Sequence, residues 1–422
     1  MDITITTLGA LVGLIFTIIL IFLKIPAVYS LMLGALIGGL IGGANLSYTI
    51  SLMTEGAGGM MTTVLRILAA GILAGTLIKS HAADSIAQKI IDLLGEKKAL
   101  LALTIATMIL TAVGVFVDIA VITVAPIALA IAHRLNISKR AILLAMIGGG
   151  KAGNIMSPNP NAIAVSSAFN QPLTSVMMAG IIPGIFGIII TYFLAKSLIN
   201  KGSKVSEEEL DLDNEKEELP PFAKAIIGPV VAIILLVLRP TLNITIDPMI
   251  ALPIGGIMGA LVMGKMNKML EYANHGLKSM TNVAIILIGT GTLAGIIQNS
   301  SLGNDIISLI EKMGMPLFML APISGILMSA ATASTTSGAT VAAEVFGPTL
   351  IKSDVSTLAS ASMIHSGATV LDHLPHGSFF HATGGSVKIV FKERIKLIGY
   401  ESLVGLTMTI IATFLYGVIG IL

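Results

Sequence analysis

The 422-residue chain carries 25 basic and 23 acidic residues, a formal net charge of +2, and this near balance argues against nucleic acid as a partner. Hydrophobic residues make up 55% of the chain and charged residues 11%, with a mean hydropathy of +0.94, whereas a water-soluble protein needs more charge to cover its surface. Cysteine is absent, which excludes disulfides, thiolate metal sites and cysteine nucleophiles.

Apolar runs close to the length of a membrane span occur from one end of the chain to the other. A helix needs about 20 apolar residues to cross a bilayer, and Thr7–Leu23, Ala27–Gly43 and Leu397–Leu422 approach or exceed that length. The short connection between the first two runs predicts a transmembrane hairpin over residues 1–54. The N-terminus lacks the basic region and cleavage site of a signal peptide, so the first run is predicted to be a retained span. The chain is predicted to be an all-α polytopic protein of the bacterial inner membrane.

A unit that begins near residue 55 recurs in the second half. Ala70–Ser80 lines up with Thr290–Ser300, pairing Gly71 with Gly291 and Gly75 with Gly295. Between the copies lies an acidic stretch without apolar periodicity, which is typical of a solvated linker. This order predicts a first transport repeat over residues 55–199, an acidic hydrophilic linker over 200–221, linking transmembrane helices over 222–271 and a second transport repeat over 272–422.

Each predicted repeat contains two polar interruptions of apolar sequence. They are Thr111–Asp118 and Gly148–Asn161 in the first repeat, and Ala330–Thr340 and Ile364–Ser386 in the second. Paired breaks in duplicated halves are typical of secondary transporters, because discontinuous helices place backbone dipoles and free amide groups near the bilayer midplane. Irregular backbone is stable at that depth only where protein or a water-filled cavity satisfies it. We therefore expect the transport site at these four segments.

The candidate substrate ligands in these segments are amide, hydroxyl and imidazole side chains. Amides offer both a donor and an acceptor, and a hydroxyl-rich hairpin tip beside a helix N-terminus suits a polyhydroxylated or anionic solute. Asparagines also cap broken helices, and Ser and Thr also bond back to their own helix carbonyls. The predicted substrate-binding residues are Asn154, Ser157, Asn159, Asn161, Thr335, Thr336, Ser337, Thr340 and His373.

If transport is coupled to protons, a titratable side chain must carry the proton. His373 is the first candidate, because histidine titrates nearest to physiological pH, and Asp118 is the second. Asp372 and Glu344 complete the predicted proton-coupling set. A buried structural partner such as a hydroxyl would explain Glu344 equally well.

Several of these segments resemble the gluconate permease family. Val115–Pro126 is similar to the family's stretch that ends in Ala-Pro, with Asp118 matching its acid. The segment Ser157–Ala162 resembles its Pro-Pro-His-Pro-Gly-Pro loop, and Gly338–Ala342 resembles its Ser-Ala-Thr-Val-Ala. The family's Gly…Leu-Ser-His…Gly-Phe-Trp pattern is matched at Gly367, Leu371, His373 and Phe379. The likeness extends from about Glu55 to the C-terminus.

The resemblance implies a secondary transporter of the ion transporter superfamily, with two inverted structural repeats, broken helices and helical hairpins. It further implies import of gluconate or a related sugar acid or hydroxycarboxylate by proton symport. The implied partners are a small organic anion, a coupling proton or sodium ion, and the lipid bilayer, with homo-oligomerisation left open. The chain departs from the family pattern inside the predicted site, so the substrate within this class stays open; the departures are Asn159, Asn161, Ala162, Asp372 and His376.

Other function classes fit parts of the same sequence. A sodium/proton antiporter or a sodium-coupled organic anion transporter would also use buried acids and broken helices. A membrane enzyme could use Ser337 or Ser366 as nucleophile, but no Gly-x-Ser-x-Gly elbow is present, and His365 faces away from Ser366 on a helix. An ATP-driven pump would need a phosphate-binding loop, which the sequence lacks. A transporter is therefore predicted rather than an enzyme.

The sequence predicts no cofactor and no metal site. The residues Asp372, His373 and His376 are closely spaced, but Pro375 interrupts the helix between them. No second ligand set with a recognised spacing accompanies them.

Overall fold

The computed structural model describes residues 4–95, 98–209, 218–242, 246–352 and 355–421. Among these residues, β-type pairing is limited to two isolated bridges, Ile5 with Ser300 and Ser138 with Lys204. The first helices are α1 (Thr7–Phe22), α2 (Ala27–Ile41), α3 (Leu46–Gly59), α4 (Met61–Lys79), α5 (Ala82–Leu94), α6 (Ala99–Ala112), α7 (Val117–Leu135), α8 (Lys139–Asn154), α9 (Pro160–Ala168) and α10 (Leu173–Ser197). The later helices are α11 (Phe222–Ala225), α12 (Ile227–Leu242), α13 (Pro248–Val262), α14 (Met269–Gln298), α15 (Leu302–Lys312), α16 (Leu320–Thr332), α17 (Thr335–Ile351), α18 (Thr357–Gly367), α19 (Ser378–Ser386), α20 (Phe391–Ile395) and α21 (Ile398–Ala412).

The helices have the length and composition of membrane spans. In the described ranges, five helical segments are long and apolar enough to cross a bilayer: α4, α7, α10, Met266–Gln298 and Phe391–Val418. Shorter apolar helices, among them α1, α2, α6, α13 and the segment that contains α16, accompany them. The predicted all-α polytopic architecture is confirmed.

The helix breaks occur where the sequence predicts them. In the first half, residues 113–116 separate α6 from α7, and residues 155–159 separate α8 from α9. In the second half, residues 333–334 separate α16 from α17, and residues 368–377 separate α18 from α19. The prolines at 158 and 160 cannot donate a helical hydrogen bond, and Gly114 adopts a φ of 104°, which suits glycine. The two halves therefore place their breaks in the same order.

The segment formed by α3 and α4 crosses the antiparallel helix α14, and the two meet through glycines. A Cβ atom on Gly75 would lie 2.1 Å from the carbonyl oxygen of Tyr272, and one on Gly295 would lie 2.2 Å from that of Leu52. A larger residue at either position would force the helices apart. The backbones thus touch directly, as small residues allow in membrane bundles.

The contacts of this crossing occur in pairs, and the two members of a pair differ only in which half of the chain supplies which residue. Gly75 and Gly295 are separated by the same number of residues as Leu52 and Tyr272. The contact of Gly75 with Tyr272 therefore recurs as the contact of Gly295 with Leu52. Paired contacts of this kind are those of a two-fold interface. Further pairs repeat this exchange, namely Gly71 on Met280 with Gly291 on Met60, and Gly56 on Gly291 with Gly276 on Gly71. An antiparallel crossing with exchanged roles is what an inverted repeat requires. The inverted relation of the complete halves stays a prediction.

The basic loops lie together at one end of the molecule. The Nζ of Lys139 donates to Oε1 of Glu209 at 2.5 Å, and this hydrogen bond holds the pKa of the Glu209 carboxyl below its usual range. The carboxylate of Glu393 accepts from the backbone amide of Ser203 at 3.0 Å. The start of the predicted acidic linker thus docks against both basic loops, while its residues 210–217 lie outside the described ranges. Because Lys and Arg concentrate at 134–140 and 388–396, the positive-inside rule predicts that this end faces the cytoplasm.

The substitution Gly276→Ala is expected to destabilise the protein. The added Cβ would lie 1.8 Å from the carbonyl oxygen of Gly71, so α4 and α14 must separate, and overpacking of this kind costs about 1–3 kcal/mol. In the control Gly59→Ala, the new Cβ meets no atom within 4 Å, and alanine favours the helix by about 1 kcal/mol. Thermal unfolding in detergent should therefore show a lower melting temperature for Gly276→Ala only. Equal melting temperatures for Gly276→Ala and the wild type would contradict the close crossing.

Candidate functional site

The break between α8 and α9, at residues 155–159, is held in place by its own polar side chains. Asn159 caps α9, because its Oδ1 accepts from the backbone amide of Ala162 at 2.9 Å. Its Nδ2 lies 2.5 Å from both the backbone oxygen and Oδ1 of Asn154, and 2.7 Å from Oγ of Ser157. Pro160 occupies the first helical turn, where a missing amide hydrogen is tolerated. Asn159 and Ser157 therefore brace the end of α8 against the start of α9.

Hydroxyl groups organise the hairpin tip between α16 and α17. Ala333 adopts the left-handed conformation with a φ of 45°, and Ser334 caps α17 by accepting from the backbone amide of Ser337 at 3.2 Å. The Oγ1 of Thr336 donates to Oδ1 of Asn161 at 2.5 Å. This hydrogen bond joins the tip to α9, so the N-termini of α9 and α17 lie side by side.

Lys151 on α8 anchors the break between α18 and α19, at residues 368–377, to the first half of the chain. Its ammonium group donates to the backbone oxygen of Thr369 at 2.6 Å and to Oδ1 of Asp372 at 2.5 Å. The Oδ2 of Asp372 accepts from Oγ1 of Thr335 at 2.5 Å. Lys151 is 1% exposed and Asp372 is 4% exposed. They form a buried ion pair in which each group compensates the charge of the other.

His373 is enclosed behind this ion pair. Its Nε2 lies 3.0 Å from the carbonyl oxygen of Ile398, and its Nδ1 lies 2.9 Å from Nζ of Lys151. Its Nδ1 also lies 3.0 Å from Oδ1 of Asp372, so this nitrogen can accept from the ammonium group or donate to the carboxylate, depending on the tautomer. His373 thus supports the break through both ring nitrogens.

A cavity of about 490 Å³ lies where the breaks of the two halves meet, a volume within the roughly 300–1,000 Å³ of small-molecule sites. Its wall contains the N-terminal turns of α7, α9, α17 and α19. No Lys or Arg side chain among the described residues lines it. The polar side chains of the wall come from both halves and from α14: Asp118, Asn154, Asn161, Ser279, Asn282, Thr332, Ser334, Thr335, Thr336, Ser337, Thr340, Asp372 and Ser378.

Two groups on the wall are free to meet a solute. Asp118 is half-buried in the first turn of α7, and its Oδ1 accepts from the backbone amide of Ile119 at 2.9 Å. Unlike Asp372, it forms no ion pair with a described Lys or Arg. The Oγ1 of Thr340 is buried and has no hydrogen-bond partner among the described residues. A bound ligand would satisfy such a group, since buried polar atoms are almost always paired.

The predicted site residues fall into two groups by position. On the wall are Asn154, Asn161, Thr335, Thr336, Ser337, Thr340, Asp118 and Asp372. Behind the wall are Ser157, Asn159 and His373, which hold the breaks together, and Glu344, which is 6% exposed and follows Thr340 by one turn of α17. These positions leave the binding and proton-coupling roles as predictions.

Sequence reasoning gave no individual role to six residues at this site, among them Thr332, Ser334 and Ser378 of the predicted breaks. Lys151 was part of a predicted break without an assigned role, although an ionisable residue in an apolar stretch is itself a signal. Ser279 and Asn282 lie on the cavity wall from α14, and no pattern distinguishes them from other polar residues of a long span.

Metal ligation is not suggested by the positions of the histidines. In the described part of the chain, no group of three His, Asp or Glu side chains could hold a metal ion. The ring of His376 packs against Phe22, with ring centroids 4.9 Å apart, and its Nε2 lies 3.3 Å from the carbonyl oxygen of Ala331.

Apolar helices, paired breaks and a polar cavity between the halves define a membrane transporter of the permease class. The sequence profile of the GntP family permeases matches residues 1–419, and the chain belongs to this family. An uncharacterized transporter of Haemophilus influenzae is 62% identical over 415 residues, which cover 98% of this chain and 99% of that protein. The high-affinity gluconate transporter of Escherichia coli is 22% identical over 432 residues, covering 95% and 96% of the two chains.

A solved structure has the same fold. The crystal structure of the YdaH transporter of Alcanivorax borkumensis matches with a TM-score of 0.61 and 14% identity, and the match covers 87% of this chain and 86% of that one. At this identity the likeness concerns the fold alone. Family membership and the apolar helices together make the chain a multi-pass protein of the bacterial inner membrane.

The substitution Lys151→Met is expected to destabilise the protein by about 3–5 kcal/mol, because it leaves the carboxylate of Asp372 buried without a counter-charge. Adding Asp372→Asn removes that charge and keeps an acceptor for Thr335, so the double variant should regain much of the lost stability. Melting temperatures of the four proteins form a double-mutant cycle. Additive losses from the two substitutions would show that the pair is not coupled.

Proposed function

We propose that the protein imports gluconate or a related sugar acid or hydroxycarboxylate by proton symport, with the solute bound in the 490 Å³ cavity. The convergence of four helix N-termini on one hydroxyl-rich pocket, with no Lys or Arg on its described wall, is the main support. Membership of a permease family that includes a gluconate transporter supports the same substrate class. The carboxylate and the hydroxyl groups of such a solute need different partners, and the cavity contains both kinds.

The helix N-termini supply the partners for the carboxylate. Each helix carries about half a positive charge at its N-terminus, together with backbone amide groups that lack an intrahelical acceptor. Discontinuous helices in transporters direct these ends at anionic substrate groups. Because α7, α9, α17 and α19 all begin at the cavity, an anion can be bound there without a Lys or Arg on the wall.

Amide and hydroxyl side chains supply the partners for the solute hydroxyls. Asn154 and Asn161 each offer a donor and an acceptor, and Thr340 offers a hydroxyl that has no other described partner. We include Thr335, Thr336 and Ser337 in the same set, because their hydroxyls lie in the first turn of α17 at the cavity. Ser157, Asn159 and His373 act indirectly, by holding the breaks in shape.

Asp118 is the group best placed to carry the coupled proton. When ionised, its carboxylate would repel a bound anion across the cavity, and two like charges interact strongly where water is scarce. A proton on Asp118 removes this repulsion, so proton and anion binding favour each other. Asp372 is already compensated by Lys151, and His373 lies against the ammonium group of Lys151. Glu344 remains a candidate for proton passage behind Thr340.

The halves would act as two inverted repeats over residues 55–199 and 272–422, linked by the helices of 222–271. The exchanged glycine contacts of α4 and α14 support this relation. Inverted repeats give a transporter two equivalent arrangements around one central site, which is the basis of alternating access.

Sodium coupling is the second candidate. The oxygen-rich wall and the unpaired Asp118 carboxylate are also suitable ligands for a sodium ion. Uptake that requires sodium and ignores an imposed pH gradient would favour sodium-coupled anion transport. Proton release on adding sodium, without any organic solute, would favour a sodium/proton antiporter.

The substitution Asp118→Asn is expected to uncouple transport from the proton gradient. In proteoliposomes, uptake of labelled gluconate driven by an imposed pH gradient should fall at least tenfold, which corresponds to a free-energy loss of about 1.4 kcal/mol. Exchange of labelled for unlabelled gluconate needs no net proton movement and should persist. Asp84→Asn, on the surface helix α5, serves as the matched control. The assignment fails if Asp118→Asn still follows the pH gradient, and His373→Gln and Glu344→Gln then become the variants to measure.

A further inference from the structure

A second polar cavity of about 250 Å³ lies away from the central one. Its wall includes Arg66 of α4, Ser166 and Ser167 of α9, Asp247 before α13 and the start of α10. Because α10 has 25 residues at about 1.5 Å per residue, its two ends are separated by roughly 37 Å, close to the thickness of a membrane. Its far end meets Ser138, whose Oγ donates to the carbonyl oxygen of Leu198 at 2.6 Å. The second cavity therefore lies toward the side opposite the basic loops, which is the outer side.

The two cavities lie at opposite ends of the short helix α9. Asn161, near its N-terminus, is on the wall of the central cavity, and Ser166, near its C-terminus, is on the wall of the second cavity. Five helical residues separate these positions by roughly 7–8 Å. A solute in the second cavity is therefore one short helix away from the proposed transport site.

Arg66 is the basic residue on the described wall of this second cavity. It lies within the apolar span Met61–Lys79, where an arginine is costly and commonly marks a solute pathway. Its Nη2 lies 2.6 Å from Oδ2 of Asp247 and its Nε lies 3.1 Å from the same oxygen, while Nη1 donates to Oγ of Ser167 at 3.0 Å. The side chains of Arg66 and Asp247 are 26% and 36% exposed. The ion pair is thus accessible to water and to a solute, and such pairs are weak.

Other donors in this cavity also suit an anion. The first turn of α10 lines it at Leu173 and Thr174, and Pro172 at the N-cap provides no side-chain cap. Amide groups at an uncapped helix N-terminus attract anions. Asp247 is the acid on the described wall, and its charge is matched by that of Arg66.

We propose that this second cavity is an outer binding site for the same small carboxylate, in which the carboxylate of the solute displaces Asp247 from the guanidinium group of Arg66. The inference rests on the proposed function, because it assigns the first contact of the solute on its route to the central cavity. Arginine binds a carboxylate through two parallel hydrogen bonds, so the incoming anion replaces one such partner by another. Asp247 competes with the solute and keeps the guanidinium group paired when the site is empty.

Two substitutions with opposite expected effects test the proposal. Arg66→Gln removes the carboxylate partner and should raise the KM for gluconate uptake about tenfold, with Vmax unchanged within about twofold. Asp247→Asn removes the competing charge and should lower the KM about threefold. Asparagine is also a good N-cap, so it can keep the hydrogen bond in which Asp247 accepts from the backbone amide of Met249 at 2.9 Å. Initial rates of uptake in intact cells measure both.

A purely structural ion pair predicts a different outcome, because both substitutions would then break the same contact and impair uptake alike. Parallel losses, or an unchanged KM in both variants, would overturn the outer site. Lys79→Gln, at the exposed far end of α4, is the matched control and should leave the KM unchanged. If Arg66→Gln fails to reach the membrane, Arg66→Lys, which keeps the charge without the planar fork, should show an intermediate rise in KM. A wild-type protein that takes up no sugar acid fails the proposed function itself, before any variant is compared.

Discussion

The buried contact between Lys151 and Asp372 joins the two halves of the chain beside the central cavity. The two residues are 221 positions apart in the chain, and their side chains meet at 2.5 Å. The same cluster includes the backbone of the break at residues 368–377 through Thr369, and the first turn of α17 through Thr335. Four residues from three segments, Lys151, Thr369, Asp372 and Thr335, thus satisfy one another's polar groups in an apolar surrounding. The relative placement of the helix N-termini at the cavity depends on this cluster.

The cluster also determines the charge of the cavity. Because Lys151 neutralises Asp372, neither residue presents a net charge to a solute, and the carboxylate of Asp118 remains without a cationic partner among the described residues. The two aspartates therefore have different parts in the site, although both lie on the wall. Asp372 completes the scaffold, and Asp118 is the residue to which the proposed mechanism assigns the coupled proton. Separate environments for similar groups are a general way of dividing chemical roles.

The glycine crossing of α4 and α14 gives the fold a central contact that leaves no room for adjustment. Arg66 lies on α4 between the contacts made by Gly56 and Gly71. A charged residue at this depth is tolerated where it meets Asp247 and a wet cavity rather than lipid. The outer cavity and the central cavity are lined by residues from the two ends of α9, so the proposed route of the solute between them runs along this short helix.

Much of the architecture is determined by local sequence. Long apolar runs require a membrane, and the prolines at 158, 160 and 375 prevent a regular helix from continuing through the segments 148–161 and 364–386. The all-α polytopic class, the breaks and the permease family are confirmed on this basis. The tertiary structure alone decided which polar residues of each break reach the cavity, because this depends on partners far away in the chain. Asn159 and His373 are as polar as Asn154 and Asp118, yet they are occupied by the backbone of the breaks and by Lys151. A residue's own type shows that it needs a partner, and only the packing of distant helices decides whether that partner is protein or solute.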